Sequence, residues 1–206
     1  MVTTQTSLDD SLDYIASVEP AFARAMETYG RPEPRVRPRG HITLLRTIVG
    51  QQVSVAAANS MWSKLENKFG ADPDLDAMCR ADDDDMRKAG LSRQKAGYCR
   101  SLASLVRAGE VCFESLPKDD DEAIAELTRI KGIGRWSAEI YLLFSEGRKN
   151  VFPAGDLAVQ VELGRILNRE ERPPEKLVRQ WAEPWSPHRG AAAILAWHSY
   201  NAPPLG

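Results

Sequence analysis

Two glycines one residue apart, Gly132 and Gly134, interrupt the apolar stretch RIKGIGRWSAEIYLLF, residues 129–144. Ile124, Leu127 and Ile130 recur at helical spacing ahead of them, and Trp136, Ile140, Leu143 and Phe144 do so behind. The pattern predicts a helix ending at Ile130, a KGIG turn, and a second helix starting at Arg135. Glycine allows a sharp turn and removes the side chain, so the unpaired amides opening the second helix can approach an anion such as a phosphate. Ile133 would then plug the turn against its two helices. A C-cap glycine followed by a tight turn accounts for the same residues with no ligand at all. A phosphate contact of this kind positions a nucleic acid without reading its bases. Two further stretches carry reactive or exposed polar groups. Asp156 follows NVFPAG, and its carboxylate is also a natural N-cap for the next helix. Gln51 and Gln52 in VGQQVSV fall on an exposed corner between a helix broken at Gly50 and one started at Ser54, where paired glutamines are commonly just solvated.

The elements that must position these groups are helical. No segment sustains strand-like alternation, so the fold class is all-α, a two-lobed array of about ten short helices. With 206 residues, 43% of them hydrophobic, the chain can bury a real core. Ser54 and Gly70 bound a helix carrying Val55, Ala58, Met61, Trp62, Leu65 and Phe69, and a second helix with Cys99, Leu102, Leu105 and Val106 ends near Gly109. Asp119 to Asp121 start the helix before the glycine turn, and the one behind it reaches about Gly147. Later helices carry Val159 to Leu167, Leu177 to Trp181, and the alanine-rich run around Ile194 and Trp197. No window approaches the roughly 20 apolar residues of a membrane span, and the N-terminus MVTTQTSLDDSLDY is polar and acidic, which leads us to expect a cytoplasmic protein without a membrane partner. Cys79, Cys99 and Cys112 lack metal-site spacing, as do His41, His188 and His198. The net charge of −2 argues mildly against a nucleic-acid partner. Arg31, Arg35, Arg37 and Arg39, with Arg93 and Lys95, could nevertheless meet phosphates, while the acidic runs ADDDDMRK and KDDDEAIAE read as solvated faces and helix starts.

LTRIKGIGRWSAEIYLL followed by VFPAGD, with LLRTIVGQQVSVAAANSMW and GLSRQKAGYCRSLA upstream and WSPHRGAAAILAWHSY downstream, resembles the helix-hairpin-helix (HhH-GPD) DNA glycosylase superfamily. The strongest likeness is to its 3-methyladenine DNA glycosylase II type, over roughly residues 40–200. The resemblance implies a base-excision repair enzyme, acting as a monomer, that flips an alkylated purine out of double-stranded DNA and hydrolyses its N-glycosyl bond. In that likeness Asp156 stabilises the cationic sugar or orients a water, and Trp136 and Trp197 wall the base pocket, with Ile140 where some members carry tyrosine. Lys131, Gly132, Ile133, Gly134 and Ser137 form the DNA-binding hairpin, and Gln51 and Gln52 the duplex wedge, the second glutamine filling the space left by the flipped nucleotide. Main-chain carbonyls of Thr128, Ile130 and Ile133 would hold a monovalent cation, Na+ or K+; no cofactor is required, and no iron-sulfur cluster is expected. Trp136 stands where lyase-competent members have a nucleophilic lysine, so no strand cleavage is expected. The resemblance also implies a single domain over 1–206 with a cleft between two lobes. One lobe is central, about 40–150, with the hairpin at 124–146; the other is formed by 1–39 plus 151–206. The β-rich N-terminal domain of larger bacterial members is expected to be missing, and the bacterial cytoplasm or nucleoid is the implied location. The alternative is a non-catalytic module that senses lesions, in which Asp156 is only a cap.

Overall fold

The computed structural model describes residues 4–203, and among them no strand occurs. Twelve α-helices follow one another: α1 Gln5–Val18, α2 Pro20–Tyr29, α3 His41–Gly50, α4 Val55–Phe69, α5 Leu75–Arg80, α6 Asp83–Lys88, α7 Arg93–Arg107, α8 Asp120–Thr128, α9 Arg135–Phe144, α10 Leu157–Ile166, α11 Glu175–Trp181 and α12 Arg189–Asn201, with a 3-10 turn at Glu183–Trp185 before the last. The all-α expectation holds, with twelve helices in place of about ten.

Side-chain caps set the starts. Ser54 Oγ accepts the Ala57 amide at 3.2 Å ahead of α4, and Ser92 Oγ accepts that of Lys95 at 3.2 Å ahead of α7. Both acidic runs are helix starts: Asp82 caps α6 through the Asp85 amide at 2.8 Å, and Asp119 caps α8 through the Glu122 amide at 2.9 Å. Asp83 also pairs with Arg100 at 2.8 Å and Asp85 with Lys68 at 2.6 Å, tying α6 to α7 and α4. Two helix ends differ from the sequence expectation. α8 stops at Thr128, because the Ile130 amide bonds back three residues to Leu127 at 3.2 Å and so closes a turn. α9 stops at Phe144, and Gly147 follows with φ +68°.

The chain divides into two compact units: a terminal one from the described parts of Met1–Val36 and Leu142–Gly206, and a central one from Arg37–Tyr141. Residues 142–150, expected with the central lobe, group with the termini. In the central unit α7 packs on α3, α5 and α6, and Leu44, Leu45, Ile48, Leu65, Met78, Met86 and Leu102 fill the core. Each such side chain contributes about 1.5–3 kcal/mol on burial. In the terminal unit α12 packs on α1, α2 and α10, and its buried alanines 191, 192, 193 and 196 allow close approach. Gly190 is obligatory there: a Cβ would lie 2.6 Å from Leu143 Cδ1 and 2.8 Å from the Lys149 carbonyl, to which the Gly190 amide donates at 2.7 Å. Arg189 Nε donates to Asn150 Oδ1 at 2.8 Å. These bonds anchor the stretch of backbone that leads into VFPAGD.

Candidate active site and nucleic-acid interface

In the central unit the glycine turn joins α8 to α9, and its two glycines do different work. Gly132 has φ +85°, and a Cβ there would overlap the Tyr98 ring, 2.6 Å from Cε2. Conformation and packing both demand glycine at that position. Gly134 has an ordinary φ, and a Cβ added there would meet nothing within 4 Å, so the fold itself does not require glycine. Its carbonyl accepts the first helical bond of α9, from Ala138 N at 3.0 Å. A glycine in that place offers no side chain to satisfy the opening amides of α9, which carry the positive end of the helix dipole. Open space at Gly134 and the positive end of the α9 dipole are together compatible with an anion there. Ile133, 3% exposed, is the apolar plug, and the Lys131 amide donates to Ser101 Oγ at 3.1 Å while its side chain stands exposed. Arg135 is committed elsewhere, to Asp121 at 2.8 Å and the buried Glu139 at 2.9 Å.

Of the carbonyls expected around a cation, that of Ile130 accepts the Ile133 amide at 3.0 Å and retains one lone pair. Such oxygens are the donors hard cations prefer, and the described residues hold no His, Cys, Asp and Glu cluster suited to a metal. On α9, Ser137 is half-buried, Ile140 is buried at 8% exposure and Trp136 is 46% exposed. A tryptophan indole exposed to that extent is unusual, and it offers a broad apolar face to a ligand.

The turn between α3 and α4 separates the two glutamines. Gln52 is exposed and takes φ +53°, a left-handed conformation that a non-glycine residue adopts at some cost. Gln51 is half-buried, and its Nε2 donates to the Gly132 carbonyl at 2.7 Å. Lys95, read as able to meet a phosphate, has its Nζ donating to the Val49 carbonyl at 2.7 Å, capping α3, and burial pushes its pKa down. The arginine cluster is likewise partly spent, with Arg31 paired to Asp9 and Asp13 and Arg39 donating to the Phe113 carbonyl at 3.2 Å. Sequence reasoning missed Tyr98, which shares a face of α7 with Lys95 three residues before it, a spacing that could have marked the pair.

The terminal unit carries Asp156 at the start of α10. Its Oδ1 accepts the Val159 amide at 3.0 Å, so it is indeed the N-cap, and the same oxygen accepts Trp197 Nε1 at 3.1 Å. The preceding segment is firmly held: Val151, Phe152 and Ala154 are buried, the Asp156 amide donates to the Pro153 carbonyl at 3.0 Å, and Gln160 Nε2 donates to the Ala154 carbonyl at 2.8 Å. Trp197 packs its ring against Phe144 at 5.7 Å. Sequence reasoning gave Trp197 a pocket-wall role; the structure adds that its indole N–H orients the carboxylate. The result is a half-buried anion fixed by two donors on one oxygen, able to stabilise a cation that develops beside it.

The described geometry has counterparts in known proteins. A family model for "HhH-GPD superfamily base excision DNA repair protein" matches residues 45–187. DNA-3-methyladenine glycosylase 1 of Schizosaccharomyces pombe is 30% identical over 93% of this chain and 87% of its own length. The crystal structure of a DNA-3-methyladenine glycosidase from Bacillus halodurans superposes with a TM-score of 0.85 at 27% identity, covering 93% of this chain and 89% of that one. The Schizosaccharomyces pombe 3-methyladenine DNA glycosylase in complex with abasic DNA superposes with a TM-score of 0.75 at 26% identity, covering 93% and 95%. For a Bacillus subtilis relative, 26% identical over 76% of this chain, the match spans 57% of the relative's length.

Proposed function

Because the chain belongs to the HhH-GPD superfamily of base excision DNA repair proteins, we propose that it is a monofunctional DNA glycosylase that hydrolyses alkylated purines of the 3-methyladenine type out of double-stranded DNA. The observation that carries the reading is the Asp156 carboxylate, held by the Val159 amide and the Trp197 indole. The relatives' names and the neighbour bound to abasic DNA, the product such a reaction leaves, support it.

In this account the amides opening α9 take a phosphate, aided by the exposed Lys131, and fix the duplex without regard to sequence. A damaged purine leaves the stack, which costs a few kcal/mol, and Gln52 offsets part of that cost by occupying the gap. The face of Trp136 receives the base; a cationic alkylated purine gains a cation–π attraction of roughly 1–2 kcal/mol there. As the bond from C1′ to the base nitrogen breaks, positive charge grows on the sugar and Asp156 stabilises it; a water then adds to C1′, giving free base and an abasic site. Trp136 offers no amine to C1′, so the strand stays intact. Carbonyls of Thr128, Ile130 and Ile133 would hold Na+ or K+ at the hairpin, where it would supply positive charge near the phosphate.

A second reading is favoured by the Asp156 cap bond: a lesion-sensing module in which this residue serves only the helix. Incubation with methylated duplex DNA separates the two. Release of free 3-methyladenine supports the glycosylase, and binding without release supports the module.

A further inference from the structure

The two glutamines of the turn between α3 and α4 have different jobs. We infer that Gln51 is a latch: it straps the turn to the hairpin so that seating the hairpin on phosphate presents Gln52 to the duplex. This rests on the glycosylase reading for its purpose, but the geometry stands by itself. Gln51 Nε2 reaches across to the carbonyl of Gly132, at 2.7 Å and 81 residues away in sequence. Gly132 is locked in place by its φ of +85° and by the Tyr98 ring against its Cα. The strap therefore ends on a fixed point.

Other bonds converge on the same joint. The Gln51 amide donates to the Ile48 carbonyl at 3.3 Å, and Lys95 Nζ donates to Val49 O at 2.7 Å, so the end of α3 is pinned to α7. Lys95 and Tyr98 lie one turn apart on α7, one holding α3 and the other backing Gly132. Beside the strap runs a groove of about 450 Å³, lined by Gln51, Gln52, Lys95, Tyr98 and Gly132 among others. The groove keeps core packing away from that side of the turn, and the Gln51 bond sets the distance from turn to hairpin. Beyond the strap, Gln52 is held exposed at φ +53°. Strain at one residue beside a strapped neighbour is the arrangement expected where a side chain must be presented and not merely solvated.

The test uses the full-length protein and a duplex carrying 2-aminopurine beside a lesion, whose fluorescence reports extrusion of the neighbouring base. Gln51→Leu, which fills similar space without a donor, should lower the extrusion signal about fivefold, the worth of one hydrogen bond. Gln51→Glu keeps the shape but aims a carboxylate at a carbonyl, so it should be at least as defective at neutral pH. It should recover, relative to wild type at the same pH, as acid restores a donor near the carboxyl range of about pH 4–5. The double variant Gln51→Leu/Gln52→Ala should be no worse than Gln52→Ala alone, since the latch acts through Gln52. A Gln51→Glu protein that extrudes normally at neutral pH, or single-variant losses that multiply in the double variant, overturns the latch. Extrusion by wild type without base release would sink the glycosylase reading and leave the latch to be judged on its own signal.

Discussion

Trp197 Nε1 and Val159 N both donate to Oδ1 of Asp156, at 3.1 and 3.0 Å. One oxygen of the carboxylate thus serves the helix and the indole at once, so capping and chemistry are compatible in a single residue. In the proposed reaction Trp197 would act through Asp156 as a positioning residue. Trp197→Phe keeps a ring against Phe144 but removes the donor. A hydrogen bond to a charged group contributes about 1.5–3 kcal/mol, so kcat for base release should fall roughly tenfold or more with KM little changed. A rise in KM alone, at constant kcat, would return Trp197 to a pocket-wall role.

The hairpin glycines should separate in experiment. Gly132→Ala forces a Cβ into the left-handed region and onto the Tyr98 ring, which should destabilise the fold by about 2–4 kcal/mol in denaturant unfolding. At Gly134 an added Cβ would meet nothing within 4 Å, and Gly134→Leu should unfold within about 1 kcal/mol of wild type. Its binding should weaken equally on lesion and undamaged duplexes, with a salt dependence shallower by about one charge, because the added side chain blocks a phosphate and no base. Weakening confined to damaged DNA would place the phosphate cradle elsewhere.

The proposed lack of strand cleavage rests on one position. With Trp136 on α9, borohydride should trap no covalent adduct, and breaks should appear only after alkali. A trapped complex would mean that another amine, Lys131 being the nearest in sequence, attacks C1′. Trp136→Ala should slow release of a neutral base at least as much as that of a cationic one, since a cationic purine is already a good leaving group.

Much of the scaffold was legible because caps and periodicity are local. Ser54 and Gly70 bound α4 as read, and Asp119 opens α8. The end of α8 was missed by two residues because periodicity continues through Ile130 while the backbone tightens into a turn. The site was legible as residue types but not as bonds. Gln51 reaches a carbonyl 81 residues away and Trp197 a carboxylate 41 residues away, and no spacing rule carries that information. Gly132 and Gly134 look alike in the chain, and only φ and the Tyr98 ring show that one is structural and the other leaves space. That Lys95 caps α3 through the Val49 carbonyl was likewise out of reach of the sequence, since the two residues lie 46 positions apart.

The central claim is that Asp156 drives hydrolysis of an alkylated base, and base release by Asp156→Asn tests it most directly. Asparagine can still accept from Val159 N and Trp197 Nε1 through its amide oxygen, so unfolding midpoint and duplex affinity should stay near wild type. With methyl-labelled duplex DNA, wild type should liberate free 3-methyladenine and leave alkali-labile sites. The variant, stripped of the charge that stabilises the cationic sugar, should be slower by about a thousandfold or more. Near-normal release by Asp156→Asn, or no release by the wild-type protein, would contradict the account.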